Sequence, residues 1–458
     1  MKKSGRVLGI VLAALTAVTA FGGCGGNDYS VSELVKPVYE DNFEIMTFGD
    51  HALAPTELAL TTYKEAGFNT YIFYPGMGDV RAAAAMCEQV GLDMLIFGGS
   101  PLRWGIDTNI YPDAFGLFPN YFKQFDDKGI DFNTLPAVKG FYFIDEPGAD
   151  LYDEISEHYV EWFNTKYPDM IWHVNLFPSY ATPAQLGIAP EEGKVVFEEY
   201  VDRYITEVAA GVTGNKKDIG VDHYPLKKRG ADNFISETYL YDLMVVGSAA
   251  KKGGVYFSSC IQSAGWGDYR FPDKAADIRL QVYTNLAFGA KRLEFYPYDT
   301  SNMEMQGMYM YGEKTDAYYA VQEVIKEINM FDHVIGAFDW EGVKTVQGQT
   351  HNEIIGFEYI ADTELESLNG IKNVTASYDA VIGQHKDNSG NNGFTVVNYT
   401  EPTEELFNEV TIEFEEAKGV LMYRGGIEMV LKTEKNKITV PLEAGEGVFI
   451  IPLNELRG

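Results

Sequence analysis

The feature that most constrains this chain is an alternation that begins near residue 41. Short apolar, β-branched or aromatic runs stand at Phe43–Gly49, Thr70–Pro75, Asp93–Gly98, Gly140–Ile144, Ile171–Phe177, Asp218–Tyr224, Val255–Ile261 and Arg292–Tyr298. Helical patterns follow them at Pro55–Ala66, Gly78–Val90, Asn133–Val138, Leu151–Lys166, Lys194–Ala210, Ile235–Lys252, Asp273–Phe288 and Thr315–Phe331. Continuously apolar strands, each followed by a helix, predict a parallel sheet covered by helices on its outside. Eight such units over about 300 residues match the count and length of a (β/α)8, or TIM, barrel. An open doubly wound sheet is the second α/β topology, but no Gly-rich turn follows the first strand, as a dinucleotide fold requires.

After Phe338 the texture changes. Short alternating runs at Gly393–Asn398, Val410–Phe414, Gly419–Tyr423 and Gly447–Pro452 are separated by turn clusters such as Asp387–Gly393, and no long helical pattern remains. A small antiparallel β-sandwich is expected over 339–458, behind a barrel over 41–335. The acidic run Glu404–Glu416 reads as solvated surface.

The N-terminus precedes this pattern. Lys2, Lys3 and Arg6 lead an apolar stretch, Val7–Phe21, which ends in Gly22-Gly23-Cys24. That is the layout of a signal peptide over 1–23, shorter and richer in small residues than a spanning helix. The cysteine resembles that of a bacterial lipobox, which implies lipidation at Cys24, a tether over 24–40 and a protein held at the cell surface. Membrane contact is then expected only through the anchor. The 458 residues carry 36 Lys and Arg against 67 Asp and Glu, a formal charge of −31, which argues against nucleic acid as a partner. Cys87 and Cys260 sit in apolar contexts and read as small core residues. No CxxC, HExxH or P-loop pattern occurs, and no cofactor or metal is expected.

The sharpest motif is Gly140-Phe-Tyr-Phe-Ile-Asp-Glu-Pro-Gly148, an apolar strand ending in two adjacent carboxylates. Paired acids at a strand mouth repel, and one pKa rises, as a general acid requires. Solvated capping of the next helix is the plainer reading of the same residues. Other strand ends offer Asp50 and His51, His173 and Asn175, Asp222, His223 and Tyr224, Gln262 and Trp266, and Glu294, Tyr296 and Tyr298. Between Gly99 and Asn133 a long loop carries Trp104, Tyr111, Phe115, Phe118, Tyr121, Phe122 and Phe125. Acids, amides and aromatic planes at successive strand ends suit a carbohydrate cleft, and self-packing of the loop suits its aromatics equally well.

A fourth strand ending in carboxylate-Pro resembles the large clan of retaining (β/α)8 glycosidases, in which Asn-Glu-Pro carries the acid/base glutamate. Here Asp145 replaces the Asn, and strand seven ends in Ser258-Ser-Cys-Ile-Gln262-Ser263 with no carboxylate before Asp268. The Asp-Glu pair is similar to that of N-acetylhexosaminidases of glycoside hydrolase families 20 and 123, which need no strand-seven acid. The resemblance implies Glu146 as acid/base and Asp145 as the group that orients a 2-acetamido nucleophile. In a two-acid enzyme, Asp222 or Glu294 would be the second carboxylate. The alternatives are a non-catalytic glycan-binding lipoprotein and a metal-dependent hydrolase using His51, His173 and His223.

Overall fold

The computed structural model describes residues 36, 38–39, 41, 43–49, 53–74, 78–98, 125–191, 194–301, 303–350 and 356–456. Cys24, the signal and most of the tether, Asp50, His51, Trp104 and the loop aromatics through Phe122 lie outside the described residues.

Parallel strands follow one another in chain order: β1 (Ile45–Thr47), β2 (Thr70–Phe73), β3 (Asp93–Phe97), β4 (Val138–Asp145), β5 (Ile171–Leu176) and β6 (Lys217–Val221). A hairpin, β7 (Leu226–Arg229) and β8 (Asp232–Ile235), precedes a seventh parallel run in two pieces, β9 (Tyr256–Phe257) and β10 (Cys260–Gln262). β11 (Leu293–Tyr296) is the eighth. Neighbours pair in parallel from β2 to β9 and from β10 through β11 to β1. Two backbone bonds of 3.0 Å join the sheets into a ring, from Lys291 N–H to the Phe257 carbonyl and from Asn69 N–H to the Ile45 carbonyl.

Two local expectations are corrected. Asn133–Val138 is not a helix: only Phe132–Thr134 makes a 3-10 turn and β4 starts at Val138, because Pro136 disfavours helical backbone at Leu135. The run Val255–Ile261 is not one strand, since Ser258 and Ser259 interrupt it and the Ser258 hydroxyl turns inward to Asp218, 3.3 Å away. The helices carry ordinary stop and start chemistry. Asp79 caps Val80–Val90, for example, and Gly91 ends it at φ 72°, where a Cβ would be strained.

The remaining strands are antiparallel. A small hairpin of β12 (Tyr309–Met310) and β13 (Glu313–Lys314) leads into helix Asp316–Ile328. Then come β14 (Phe338–Val346), β15 (Ile371–Ala376), β16 (Ala380–Asp387), β17 (Asn392–Asn398), β18 (Asn408–Phe414), β19 (Gly419–Arg424), β20 (Ile427–Lys432), β21 (Lys437–Leu442) and β22 (Gly447–Leu453). They form a six-stranded sheet in the order β14-β16-β17-β22-β19-β20 and a three-stranded sheet in the order β15-β18-β21. Alternation sorts the larger sheet's side chains. Ile382, Val396, Val420 and Ile450 enter a core shared with Val410, Ile412 and Val440 of the smaller sheet. Val381, Val397, Leu421 and Phe449 join the core of the parallel part.

Helix Ala275–Ala287 packs on that second face. An ideal Cβ on Gly383 would lie 2.1 Å from the Ala287 carbonyl oxygen, so only glycine admits the helix there. Lys291 pins the junction by donating to the Ile335, Gly336 and Phe338 carbonyls, and burial pushes its ammonium down to about 8.

Candidate active site

The ring encloses two kinds of surface. Met46, Phe48, Ile72, Tyr74, Leu95, Phe97 and Tyr142 from β1 to β4 fill one half with apolar and aromatic side chains. On β5, β6, β10 and β11 the inward positions include His173, Asn175, Asp218, Cys260 and Glu294, all buried. Gly220, between Asp218 and Asp222, leaves room for them: a Cβ there would lie 2.9 Å from Asn175 Oδ1 and 3.0 Å from His173 Cε1.

A bulge in β4 decides where the acid motif points. The β4–β5 register shifts between Tyr142 and Ile144, so Tyr142 faces the interior while Phe143 and Ile144 both pack outward. The extra residue returns Asp145 to the inner side, opposite Asn175, whose Nδ2 donates to Asp145 Oδ1 at 3.0 Å. Glu146 follows at φ 51°, left-handed and directly before Pro147, with its N–H bonded to the Asn175 carbonyl at 2.8 Å. A non-glycine residue held there costs about 1–3 kcal/mol, and such strain concentrates at functional positions.

Three acids meet at this mouth. The Asp222 carboxyl at the end of β6 stands close enough to Glu146 and Asp145 to feel the charge of both. Burial, then the charges of Glu146 and Asp145, push Asp222 well above the usual carboxylate range. Burial and Glu146 raise Asp145 likewise, against the hydrogen bond from Asn175.

Below them the acids have partners. Glu294 takes the Tyr142 hydroxyl at 3.2 Å and the Cys260 thiol at 3.4 Å on Oε1, and His173 Nε2 lies 3.3 Å from Oε2. His173 Nδ1 pairs with Asp218, which also meets Arg292 Nη1 at 2.9 Å, and Arg292 reaches Glu44 at 3.5 Å. Burial opposes charge on His173, but Asp218 and Glu294 hold its pKa above the ordinary value. Burial also opposes charge on Asp218, yet Arg292 and His173 keep its carboxyl low.

Aromatic rings border the acids. Tyr224 lies edge-on to Trp266 at 5.1 Å and 5.4 Å from Tyr296, while Trp266 stacks on Tyr269 at 4.4 Å. Gly49, at φ 84°, permits the Tyr296 ring to approach; a Cβ would meet Tyr296 Cε2 at 2.5 Å. Tyr180, half exposed, donates its hydroxyl to the Asp222 carbonyl at 3.3 Å. Asp145, Glu146, Asn175, Asp222, Tyr224, Trp266, Glu294 and Tyr296 are thus brought together.

Two of the sequence-selected residues stand apart. Gln262 is fully buried and its carboxamide is occupied by backbone, accepting from Leu226 N–H and donating to the Leu226, Ala264 and Arg270 carbonyls. Tyr298, past Pro297, packs against Tyr63, Phe68 and Tyr309 on the outer side of the ring. Phe125, of the long loop, packs on Phe132 in the core. His223 binds Asp242 and Ser236, whereas His173 binds Asp218, so those two rings serve different networks. Among the described residues no group of three His, Cys, Asp or Glu side chains has the arrangement of a metal site. Sequence reasoning missed Tyr142, Tyr180, Asp218, Tyr269 and Arg292. The period-two placement of Tyr142, Asp218 and Arg292 on apolar strands was the available signal for those three.

No family model and no curated protein matches the chain. Solved structures similar in path include a GH27 β-L-arabinopyranosidase from Geobacillus stearothermophilus, 12% identical over 91% of this chain and 96% of that one, with a TM-score of 0.47. A family 5 mannosidase from Rhizomucor miehei is 12% identical over 63% and 91%, with a TM-score of 0.41. An endo-1,4-β-D-mannanase from Thermotoga petrophila is 12% identical over 62% and 98%, with a TM-score of 0.38.

Proposed function

We propose that this chain is a glycoside hydrolase on a (β/α)8 barrel backed by a β-sandwich, acting on extracellular glycans with Glu146 as general acid/base. The observation that carries this reading is the convergence of Asp145, Glu146 and Asp222 from the ends of β4 and β6, where each of the two aspartates feels its neighbours' charges. Carboxyls that close cannot all ionise, so a proton stays at the mouth near neutral pH. It is available there to protonate a leaving glycosidic oxygen. The rings of Tyr180, Tyr224, Trp266 and Tyr296 supply aromatic surface for sugar, and Asn175 Oδ1 is a buried acceptor without a protein partner among the described residues.

Asp145, gripped by Asn175, is the group to orient a substrate 2-acetamido nucleophile. Purified Glu146→Gln tests the acid role by reducing-sugar release from a glycan panel; full activity overturns it. Substrate assistance requires the wild type to cleave 4-nitrophenyl N-acetylglucosaminide, with Asp145→Asn losing that activity. A non-catalytic glycan-binding protein is the second reading, favoured by Gln262, whose carboxamide is committed to backbone at the end of β10. Glycan binding by the wild type without any sugar release would establish it. Anchoring at Cys24 is tested by Cys24→Ser, which should move the protein from the membrane fraction to the soluble one.

A further inference from the structure

We propose that Ser236, His223 and Asp242 form a second catalytic centre, a serine ester hydrolase for small O-acyl groups. Asp242 Oδ2 lies 2.7 Å from His223 Nδ1, and His223 Nε2 lies 2.8 Å from Ser236 Oγ. An acid, an imidazole and a hydroxyl in that order, each within hydrogen-bond reach, is the arrangement that activates a serine. The histidine and the aspartate are fully buried, whereas Ser236 is partly exposed, so the nucleophile is the member that a substrate can reach.

The supporting contacts fix this geometry. Asp242 Oδ2 also accepts Ser179 N–H at 2.9 Å, which orients the carboxylate. The His223 ring is held edge-on between Tyr180 at 5.1 Å and Tyr239 at 5.4 Å. Ser236 directly follows β8, and its N–H is tied to the Pro225 carbonyl at 2.8 Å. It precedes the fifteen-residue helix Tyr239–Gly253, whose N-cap, Thr238, makes no side-chain cap bond. Among the described residues the Glu237 and Thr238 N–H groups have no acceptor. Free donors at a helix N-terminus next to a nucleophile are suited to an oxyanion.

In the reaction the Ser236 oxygen attacks the acyl carbonyl carbon and its proton passes to His223 Nε2. As the acyl C–O bond breaks, His223 returns that proton to the departing alcohol. Water then attacks the acyl-serine, gives a proton to His223, and releases the carboxylic acid as Ser236 takes the proton back. Nothing besides ester and water is consumed.

Tyr180 joins this centre to the acid mouth, with its ring on His223 and its hydroxyl on the Asp222 carbonyl. The acyl group is therefore expected on a sugar hydroxyl, a part of the inference that rests on the glycosidase reading. The test treats full-length protein with a fluorophosphonate probe and, separately, with 4-nitrophenyl acetate. Wild type and Glu146→Gln should both label at one serine and hydrolyse the ester. Ser236→Ala should lose the label and at least about 10³-fold of the ester rate while keeping glycoside cleavage. Asp242→Asn should slow labelling, with both it and Ser236→Ala keeping the wild-type thermal transition, so that the loss is not one of folding. An unlabelled wild type, or ester hydrolysis equal in wild type and Ser236→Ala, overturns the proposal.

Discussion

The mouth of the ring and the layer beneath it use the same residue types to opposite ends. At the mouth Asp145, Glu146 and Asp222 meet with an amide and aromatic rings as neighbours, and Asp145 and Asp222 are pushed toward their neutral forms. One layer below, Asp218 is more deeply buried than they are, yet Arg292 and His173 hold it ionised. Desolvation acts on the acids of both layers; the cation is present only in the lower one. Desolvated acids given a cation fasten strands, and desolvated acids denied one retain a proton that chemistry can use.

The comparison can be broken at either layer. The largest effect is expected from Glu146→Gln, which removes the proton carrier. Glycoside cleavage should fall about 10⁴-fold, roughly 5 kcal/mol on the barrier, with the thermal transition little changed. Arg292→Met strikes the lower layer and should act on stability. It leaves Asp218 with His173 alone and takes from Glu44 the guanidinium it faces, at about 3–5 kcal/mol in urea unfolding at pH 7.

The sign of that pH dependence follows from Asp218. Its folded pKa is lowered, so its contribution is present above the unfolded value of about 3.9 and is lost as pH falls through the folded one. The deficit of Arg292→Met should therefore narrow in acid.

Asp222→Asn should cost about 10²-fold in kcat and move the basic limb of the pH–rate profile, because the shared proton loses one of its two holders. If the limb stays in place, the pair does not set it. The smallest effect is a gain. Asp145 and Asp222 have raised folded pKa values, so their contribution to stability is present at low pH and is lost as pH rises through those values. Asp145→Asn combined with Asp222→Asn should then be more stable than wild type at pH 8 by on the order of 1 kcal/mol, with the difference vanishing near pH 4. A loss of stability at pH 8 would place the mouth in the same class as the layer below it.

Much of this was legible in the chain. The eight parallel strand runs, the Asp145-Glu146-Pro147 strand end and the candidacy of Asp222 and Glu294 follow from apolar periodicity and from acids placed where strands stop, whereas the helix expected at Asn133–Val138 did not form. The inward aim of Asp145 did not follow. Strict alternation from Tyr142 turns Asp145 outward, and only the bulge before Ile144 reverses it. Gln262 and Tyr298 show the converse. Both occupy strand ends, yet one is held by the backbone of the β7 connection and the other turns outward after Pro297. Strand ends are visible in a sequence, but the direction a chain takes after them depends on what it packs against.

What the sequence alone determined is the parallel α/β plan and the antiparallel texture after Phe338, because side-chain periodicity is local and survives without tertiary information. What only the tertiary structure decided is pairing across distance. Glu146 with Asp222, His173 with Asp218 and Glu294, and His223 with Ser236 and Asp242 each join separate elements. Charge, acidity and reactivity in those groups depend on distance and burial, and both come into being only when the ring closes.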